Sequence, residues 1–165
     1  MLKRFGKATA LLVIVAVAVA SNATATSTTA ASAKGKSVTI HLVRKDVGFN
    51  FVDNPPRQGF NSPALIGDQF AFTANLLTTT GARTGTFDAT CTVTRGGVNT
   101  RQACFGFYSL EGGQISGMAL ATNSNTTDIS IFGGTGVYEG VTGSAVEVSH
   151  QDSPLTDITL HLVYP

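Results

Sequence analysis

The chain has 165 residues, of which 42% are hydrophobic, 13% charged and 8% aromatic; it contains 18 Gly, two Cys and no Trp, and its formal charge is +1. The charged fraction is about half of the roughly 25% that is usual, whereas the apolar content is ordinary. These values exclude a disordered acidic chain and a basic nucleic-acid-binding domain, and they fit one compact domain.

The N-terminus has the pattern of a secretory signal peptide. Lys3, Arg4 and Lys7 precede an unbroken apolar run at Leu11–Ala20, and Ser21–Ala25 contains the small-x-small pattern that signal peptidase recognises. A membrane anchor is the alternative interpretation. However, a spanning helix needs about 20 apolar residues, and this run has ten. We therefore expect residues 1–25 to be removed during secretion, with no membrane association afterwards.

Removal of this segment changes the charge of the protein. All three charged residues that are lost are basic, so a cut after Ala25 leaves 140 residues with 8 Lys+Arg against 10 Asp+Glu, a net charge of −2. A cut after Ala20 is nearly as consistent with the sequence. Residues 26–36 are rich in Thr, Ala and Ser, which is typical of a disordered lead-in. The predicted folded domain spans residues 37–165.

The two cysteines, Cys91 and Cys104, are predicted to form a disulfide. Their even number in an exported chain favours a bridge over a metal site or a free nucleophile. Such a bridge closes a loop of 13 residues, since 104 and 91 differ by 13.

The exported region has an all-β pattern. Thr, Val, Ile and Phe are frequent, and clusters of Gly and Asn recur at short intervals. Eight strands are predicted, a number that suits a closed antiparallel barrel or a sandwich. Their predicted ranges are 37–44, 69–76, 85–94, 102–110, 113–121, 127–132, 143–150 and 156–163.

Alternation of apolar residues predicts which side chains point inward in four of these strands. The fourth to sixth strands are not assigned by pattern alone; if Cys104 pairs with Cys91, then Gly106 and Tyr108 also point inward. The inward sets are Val38, Ile40 and Leu42 in the first strand; Phe70, Phe72, Ala74 and Leu76 in the second; Phe87, Ala89, Cys91 and Val93 in the third; and Ile158, Leu160 and Leu162 in the last.

The inward face of the first strand leads to two charges. Beyond Leu42 it places Arg44 and Asp46 at the mouth of an apolar interior, where an unpaired charge is costly. We therefore expect these side chains to pair with each other or to contact a ligand. Residues 45–67 are predicted to form a long irregular segment beside that mouth, and such loops commonly act as lids or binding loops.

Other common types of site are not supported by the sequence. His41 and His161 are predicted to point outward, so we expect no metal site. Residues 113–117 do not form the GxSxG motif of a serine hydrolase. The Gly-rich residues 133–140 lack the GxGxxG spacing, and a tight turn between strands explains them better than a phosphate site. We expect no cofactor.

Three sequence blocks nevertheless resemble the allene oxide cyclase family and its bacterial relatives and, more distantly, the plant dirigent proteins. They are GDQFAFTANL at 67–76, CFGFYSLEGGQIS at 104–116 and GGTGVYEGVTGSAVEV at 133–148, in the family's order. The resemblance implies an eight-stranded antiparallel β-barrel with an apolar cavity, assembled as a homotrimer.

The polar residues implied by the family are not conserved in this chain. Allene oxide cyclases guide an unsaturated fatty-acid epoxide to a cyclopentenone, using an inward glutamate and asparagine that correspond here to Arg44 and Asp46. A second, water-holding asparagine corresponds to Ala74. Dirigent proteins steer the coupling of phenoxy radicals with acidic residues, where this chain has Ala74 and Asn75. The apolar sleeve, at Phe70 and Phe72, and the cysteine position, at Cys91, do match.

These observations lead to a site hypothesis with three alternatives. Arg44 would bind or polarise an oxygen, Asp46 would orient Arg44 or accept a proton, and Tyr108 would donate a hydrogen bond. The protein would then be a cyclase or coupling guide, a carrier of a small apolar or phenolic ligand, or a barrel filled by its own side chains. The predicted sleeve consists of Leu42, Phe70, Phe72 and Phe87.

Overall fold

The computed structural model describes residues 35–56 and 63–165, and this region is almost entirely β-structure. Eight antiparallel strands form a closed barrel in which each strand pairs with the next and the last pairs with the first. The predicted fold is confirmed. The signal peptide and nearly all of the predicted lead-in lie outside the described residues. The strands are β1 (Ser37–Val52), β2 (Gln69–Leu77), β3 (Arg83–Arg95), β4 (Arg101–Leu110), β5 (Gly113–Ala121), β6 (Thr126–Gly134), β7 (Thr142–Ser149) and β8 (Leu155–Val163).

Strand β1 is longer than the sequence predicted, so the expectation that residues 45–52 are irregular is wrong. The strand continues through a β-bulge between Asp46 and Gly48, which pair with Ala74 and Thr73 of β2. The bulge inserts one extra residue and so interrupts the two-residue alternation of inward and outward side chains. For this reason the sequence pattern does not reveal that the strand continues beyond it. Beyond it, Phe49 pairs with Phe72.

The segment between β1 and β2 is anchored at its end by Asp68. The carboxylate of this buried residue accepts hydrogen bonds from the backbone N–H of Asn54 at 2.9 Å and of Leu65 at 2.7 Å. The backbone of Ala64 also accepts a hydrogen bond from Gly97, in the turn between β3 and β4. The described ends of this segment are therefore fixed to the barrel.

One end of the barrel is filled, and we call it the packed end. The 3-10 helix Gly136–Tyr138 lies there, and Tyr138 and Val141 are buried with Leu76, Ile115 and Leu162. Burial of such side chains supplies about 1.5–3 kcal/mol each. The inward faces predicted for β1, β2, β3 and β8 contribute most of the buried core, as the sequence predicted.

The predicted disulfide is confirmed. Cys91 and Cys104 are direct partners on β3 and β4, with a Cα–Cα distance of 4.0 Å. The pairing places Gly106 and Tyr108 on the inner face of β4, as expected, and Tyr108 is fully buried. In the described part of the chain, no helix has the length and apolar character needed to cross a membrane.

Candidate functional site

A cavity of about 260 Å³ occupies the barrel lumen at the end opposite the packed end. Phe72 and Phe87 form an aromatic wall on one side. The other side carries small and hydroxyl-bearing side chains, including Ala119, Ala121, Thr127 and Ser149. The volume lies just below the range of roughly 300–1,000 Å³ that is usual for ligand sites. The cavity therefore suits a small molecule with one apolar face.

Arg44 is the cation of this cavity, and its guanidinium is already paired. Nη1 donates a hydrogen bond to Oε2 of Glu147, and both side chains are nearly buried, with exposed fractions of 12% and 10%. Nε lies 2.9 Å from Oδ1 of Asp46, but its N–H does not point at that oxygen, so this contact is an ion pair without a hydrogen bond. Two of the three guanidinium nitrogens therefore face carboxylates.

The aromatic wall also stabilises Arg44. Its guanidinium carbon lies 5.5 Å from the ring centre of Phe72 and 5.5 Å from that of Phe87. Both distances are within the range of favourable cation–π contacts. The two rings lie 5.8 Å apart, and Phe87 also packs against Tyr108 at 4.7 Å. Arg44 is thus held by rings as well as by carboxylates.

Tyr108 orients the acid that pairs with Arg44. Its hydroxyl donates a hydrogen bond of 3.0 Å to Oε1 of Glu147. Burial, together with the neighbouring Glu147 charge, raises the pKa of Tyr108 well above its usual range. Tyr108 therefore stays protonated and acts as a hydrogen-bond donor.

Glu147 is the site residue that the sequence analysis missed. Burial raises the pKa of its carboxyl, and the contacts with Arg44 and Tyr108 partly offset that rise. On β7, Glu147 lies between Val146 and Val148. Hydrophobic alternation alone therefore places the two valines inside the barrel and Glu147 outside. The pairing of Glu147 with Thr127 on β6 and Ile158 on β8 turns it inward.

The predicted site residues separate into two groups. Arg44, Phe72, Phe87 and Tyr108 line the cavity together with Cys91 and Cys104. Leu42 lies in the packed core instead, and Asp46 stands at the rim with 54% of its side chain exposed. Phe70 contacts Phe51 at 5.1 Å and Phe49 at 5.9 Å rather than the cavity. Arg44 and Tyr108 are brought together through Glu147.

His41 and His161 lie on the outer face of the barrel. His41 contacts Thr159, and His161 contacts Thr39, both at 3.2 Å between side chains. Among residues 35–56 and 63–165, no three His, Cys, Asp or Glu side chains are grouped closely enough to hold a metal ion.

Comparisons with known proteins identify relatives of the fold. No family model and no curated protein matches the chain. A pyocyanin demethylase structure aligns with a TM-score of 0.65 and 25% identity over 76% of this chain and 100% of its own. A pterocarpan synthase dirigent protein aligns with a TM-score of 0.61 and 15% identity, over 78% of this chain and 96% of its own. An exo-specific intermolecular Diels-Alderase aligns with a TM-score of 0.57 and 15% identity, over 77% of this chain and 99% of its own. The chain therefore shares its barrel fold with these proteins.

Proposed function

We propose that this protein is an exported barrel related to allene oxide cyclases and dirigent proteins, which binds a small, mostly apolar molecule in its lumen and guides its cyclisation or coupling. The observation that carries this proposal is the cavity itself, with its aromatic wall and its buried Arg44, Glu147 and Tyr108. Export is supported by the basic and apolar N-terminus and by the disulfide, which is typical of oxidising compartments.

The cavity would act mainly by positioning. A wall formed by Phe72 and Phe87 restricts a flexible or planar ligand to few orientations, and restriction of a reactive conformer accelerates an intramolecular step. Glu147 would accept a hydrogen bond from the ligand. Tyr108 already donates to Glu147, so its role is to position that carboxylate rather than to contact the ligand. Arg44 would hold Glu147 in place through Nη1, and the N–H of its buried Nε, which has no hydrogen-bond partner, would be available to polarise an oxygen, as the sequence predicted.

A non-catalytic carrier is the second candidate function. It is favoured by the absence of the cyclase family's inward glutamate and asparagine on the first strand, where this chain has Arg44 and Asp46. The disulfide at the family's cysteine position points the same way, since it leaves no thiol at Cys91.

Native mass spectrometry of the exported protein tests the binding function and separates its two forms. We expect a bound small molecule in the wild type. Its recovery in unaltered form supports a carrier, whereas recovery of a rearranged product supports a cyclase. Ala119→Phe places a ring in the cavity and is expected to lower occupancy by at least about tenfold, because the cavity is barely large enough for one ligand.

Thr92→Phe is the matched control for this experiment. Thr92 is exposed on the outer face of β3, so the same ring is added outside the lumen and occupancy is expected to stay at the wild-type level. Equal occupancy in wild type and Ala119→Phe would show that the ligand lies elsewhere.

We also propose that copies of the chain associate through the outer surface of β4, β5 and β6, as the trimer implied by the family resemblance requires. Apolar side chains are exposed there: Phe105, Met118, Leu120 and Phe132, with exposed fractions of 39–54%. A groove of about 470 Å³ lies beside them, between Phe49 and Phe107. A projecting patch next to a groove favours a heterologous contact, the type of contact from which a ring such as a trimer is built.

A double substitution, Met118→Lys with Leu120→Lys, is expected to convert the assembly into monomers, because it places two charges in the apolar contact. Light scattering coupled to size-exclusion chromatography measures the mass. Asp157→Lys, at an exposed residue on the outer face of β8, serves as the control and should leave the mass unchanged. A monomeric wild type would contradict the proposed association.

A further inference from the structure

A polar groove of about 360 Å³ lies beside the mouth of the lumen cavity, between the turn that joins β3 to β4 and the turn that joins β5 to β6. Thr122 and Ser124 line both spaces, whereas the other residues of the groove do not line the cavity. The side-chain amide of Asn123 donates a hydrogen bond of 3.0 Å to the carbonyl oxygen of Val98, which ties the two turns together. The volume lies within the range that is usual for ligand sites. The groove is therefore a formed space outside the lumen.

Two arginines meet in this groove without an acidic partner. Arg95 and Arg101 line it and are direct partners on β3 and β4, because a register shift after Val93 inserts Thr94 and turns Arg95 to the outer face. Like charges directly opposite each other destabilise a strand pair. Among the described residues, neither guanidinium has a hydrogen bond or an ion pair, and no carboxylate lines the groove. Residues 26–165 have 8 Lys+Arg against 10 Asp+Glu, so this pair is a positive site on an acidic region.

The neutral side chains of the groove add hydrogen-bond donors. The hydroxyl oxygen of Thr122 accepts the backbone N–H of Ser124 at 3.3 Å, and that of Ser124 accepts the backbone N–H of Thr126 at 3.2 Å. Since a hydroxyl has one donor and two acceptor positions, both hydroxyl protons remain for a ligand. The side chain of Asn99 takes part in none of the hydrogen bonds of the described residues, so its amide is also a donor. The groove thus suits an oxyanion accompanied by further oxygen acceptors.

Acidic sugars combine these features. We infer that the groove binds an acidic saccharide, with a carboxylate of the sugar between Arg95 and Arg101 and the sugar hydroxyls on the neutral donors. A guanidinium group is planar and matches the two oxygens of a carboxylate. Val98, which is 88% exposed at the groove, would pack against the C–H face of a sugar ring. The bound anion would relieve the repulsion between the two arginines, so an acidic sugar is favoured over a neutral one. Binding in the groove does not require the proposed lumen binding function.

Nuclear magnetic resonance titration of isotope-labelled protein at neutral pH tests this site through the side-chain Nε–H signals of Arg95 and Arg101. The probes are digalacturonate, its dimethyl ester and inorganic sulfate. We expect digalacturonate to shift both signals and to bind at least about tenfold more tightly than the ester, which has the same sugar units without their charges. Sulfate is expected to bind more weakly than digalacturonate, because it has no ring hydroxyls for the neutral donors.

Three variants locate the binding, which is followed in each of them by the backbone amide signal of Asn99. Arg95→Gln combined with Arg101→Gln is expected to weaken digalacturonate binding at least about tenfold. Its melting temperature should stay at or above that of the wild type, because the repulsion of like charges is removed. Arg83→Gln is the matched control: it replaces an exposed arginine at the opposite end of β3 and should keep the wild-type affinity. Ala119→Phe should also keep it, because Ala119 lines the lumen and not the groove.

The contrary outcomes are distinguishable. If digalacturonate shifts neither arginine signal, the groove is not its site, whatever the lumen binds. If the ester binds as tightly as the acid, or if Arg83→Gln weakens binding as much as the double variant, the role of the arginine pair is overturned. If sulfate binds as tightly as digalacturonate, the saccharide class is overturned. Loss of binding in Ala119→Phe would place digalacturonate in the lumen and overturn the groove site alone. The titrations of the wild type decide the question even if the double variant fails to fold.

Discussion

Replacement of Glu147 by Leu is expected to lower the free energy of unfolding by about 3 kcal/mol, at the lower end of the range for breaking a buried ion pair. The substitution leaves Arg44, which is 12% exposed, without its buried partner, and leaves the Tyr108 hydroxyl without an acceptor. Asp46 remains close to Arg44 and limits the loss, but its carboxylate is half exposed and therefore weakly coupled. Urea denaturation followed by circular dichroism measures the effect.

A triple variant serves as the control for this prediction. Arg44→Met combined with Glu147→Leu and Tyr108→Phe removes both charges and the hydroxyl together, so most of the lost stability is expected to return. A Glu147→Leu variant as stable as the wild type would show that the pair contributes no stability to the barrel.

The pH dependence of stability provides a second measurement on the same residue. Because the pKa of Glu147 is raised in the folded state, its contribution is fully present below the usual glutamate pKa and is lost as pH rises through the raised value. The stability of the wild type relative to Glu147→Gln is therefore expected to fall from acidic toward neutral pH. A relative stability that rises over this range would contradict the assigned direction of the shift.

Removal of the disulfide is expected to cost about 3 kcal/mol, the loop-closure value for a bridge that spans about 15 residues or slightly fewer. Cys91 and Cys104 are 13 residues apart and tie β3 to β4 in the cavity wall. For a domain of this size, the loss corresponds to a decrease in melting temperature of roughly 10 °C. Thermal unfolding of the Cys91→Ala, Cys104→Ala double variant checks the value.

Reductant is the control for this prediction. It should lower the melting temperature of the wild type toward that of the double variant and leave the double variant unchanged. If the oxidised wild type, the reduced wild type and the double variant all had the same melting temperature, strand pairing alone would hold β3 and β4 together.

The sequence predicted the site only where alternation is clean. Arg44, Phe72 and Phe87 follow from a two-residue period in β1, β2 and β3, and Tyr108 follows from the cysteine pairing, because an inward Cys104 sets the face of every second residue on β4. Glu147 could not be predicted in this way. The larger apolar residues of β7, Val146 and Val148, lie on the outer face, so hydrophobicity indicates the wrong orientation.

By itself, the sequence determined the eight strands, most of their inward faces and the disulfide, because these properties depend on side-chain periodicity and on cysteine count. Only the tertiary structure determined the contents of the lumen. Closure of the barrel brings β1, β4 and β7 around one space, so that Glu147 meets Arg44 across 103 residues of sequence and Tyr108 across 39. Contacts over such separations arise from strand order and register, which local patterns do not encode.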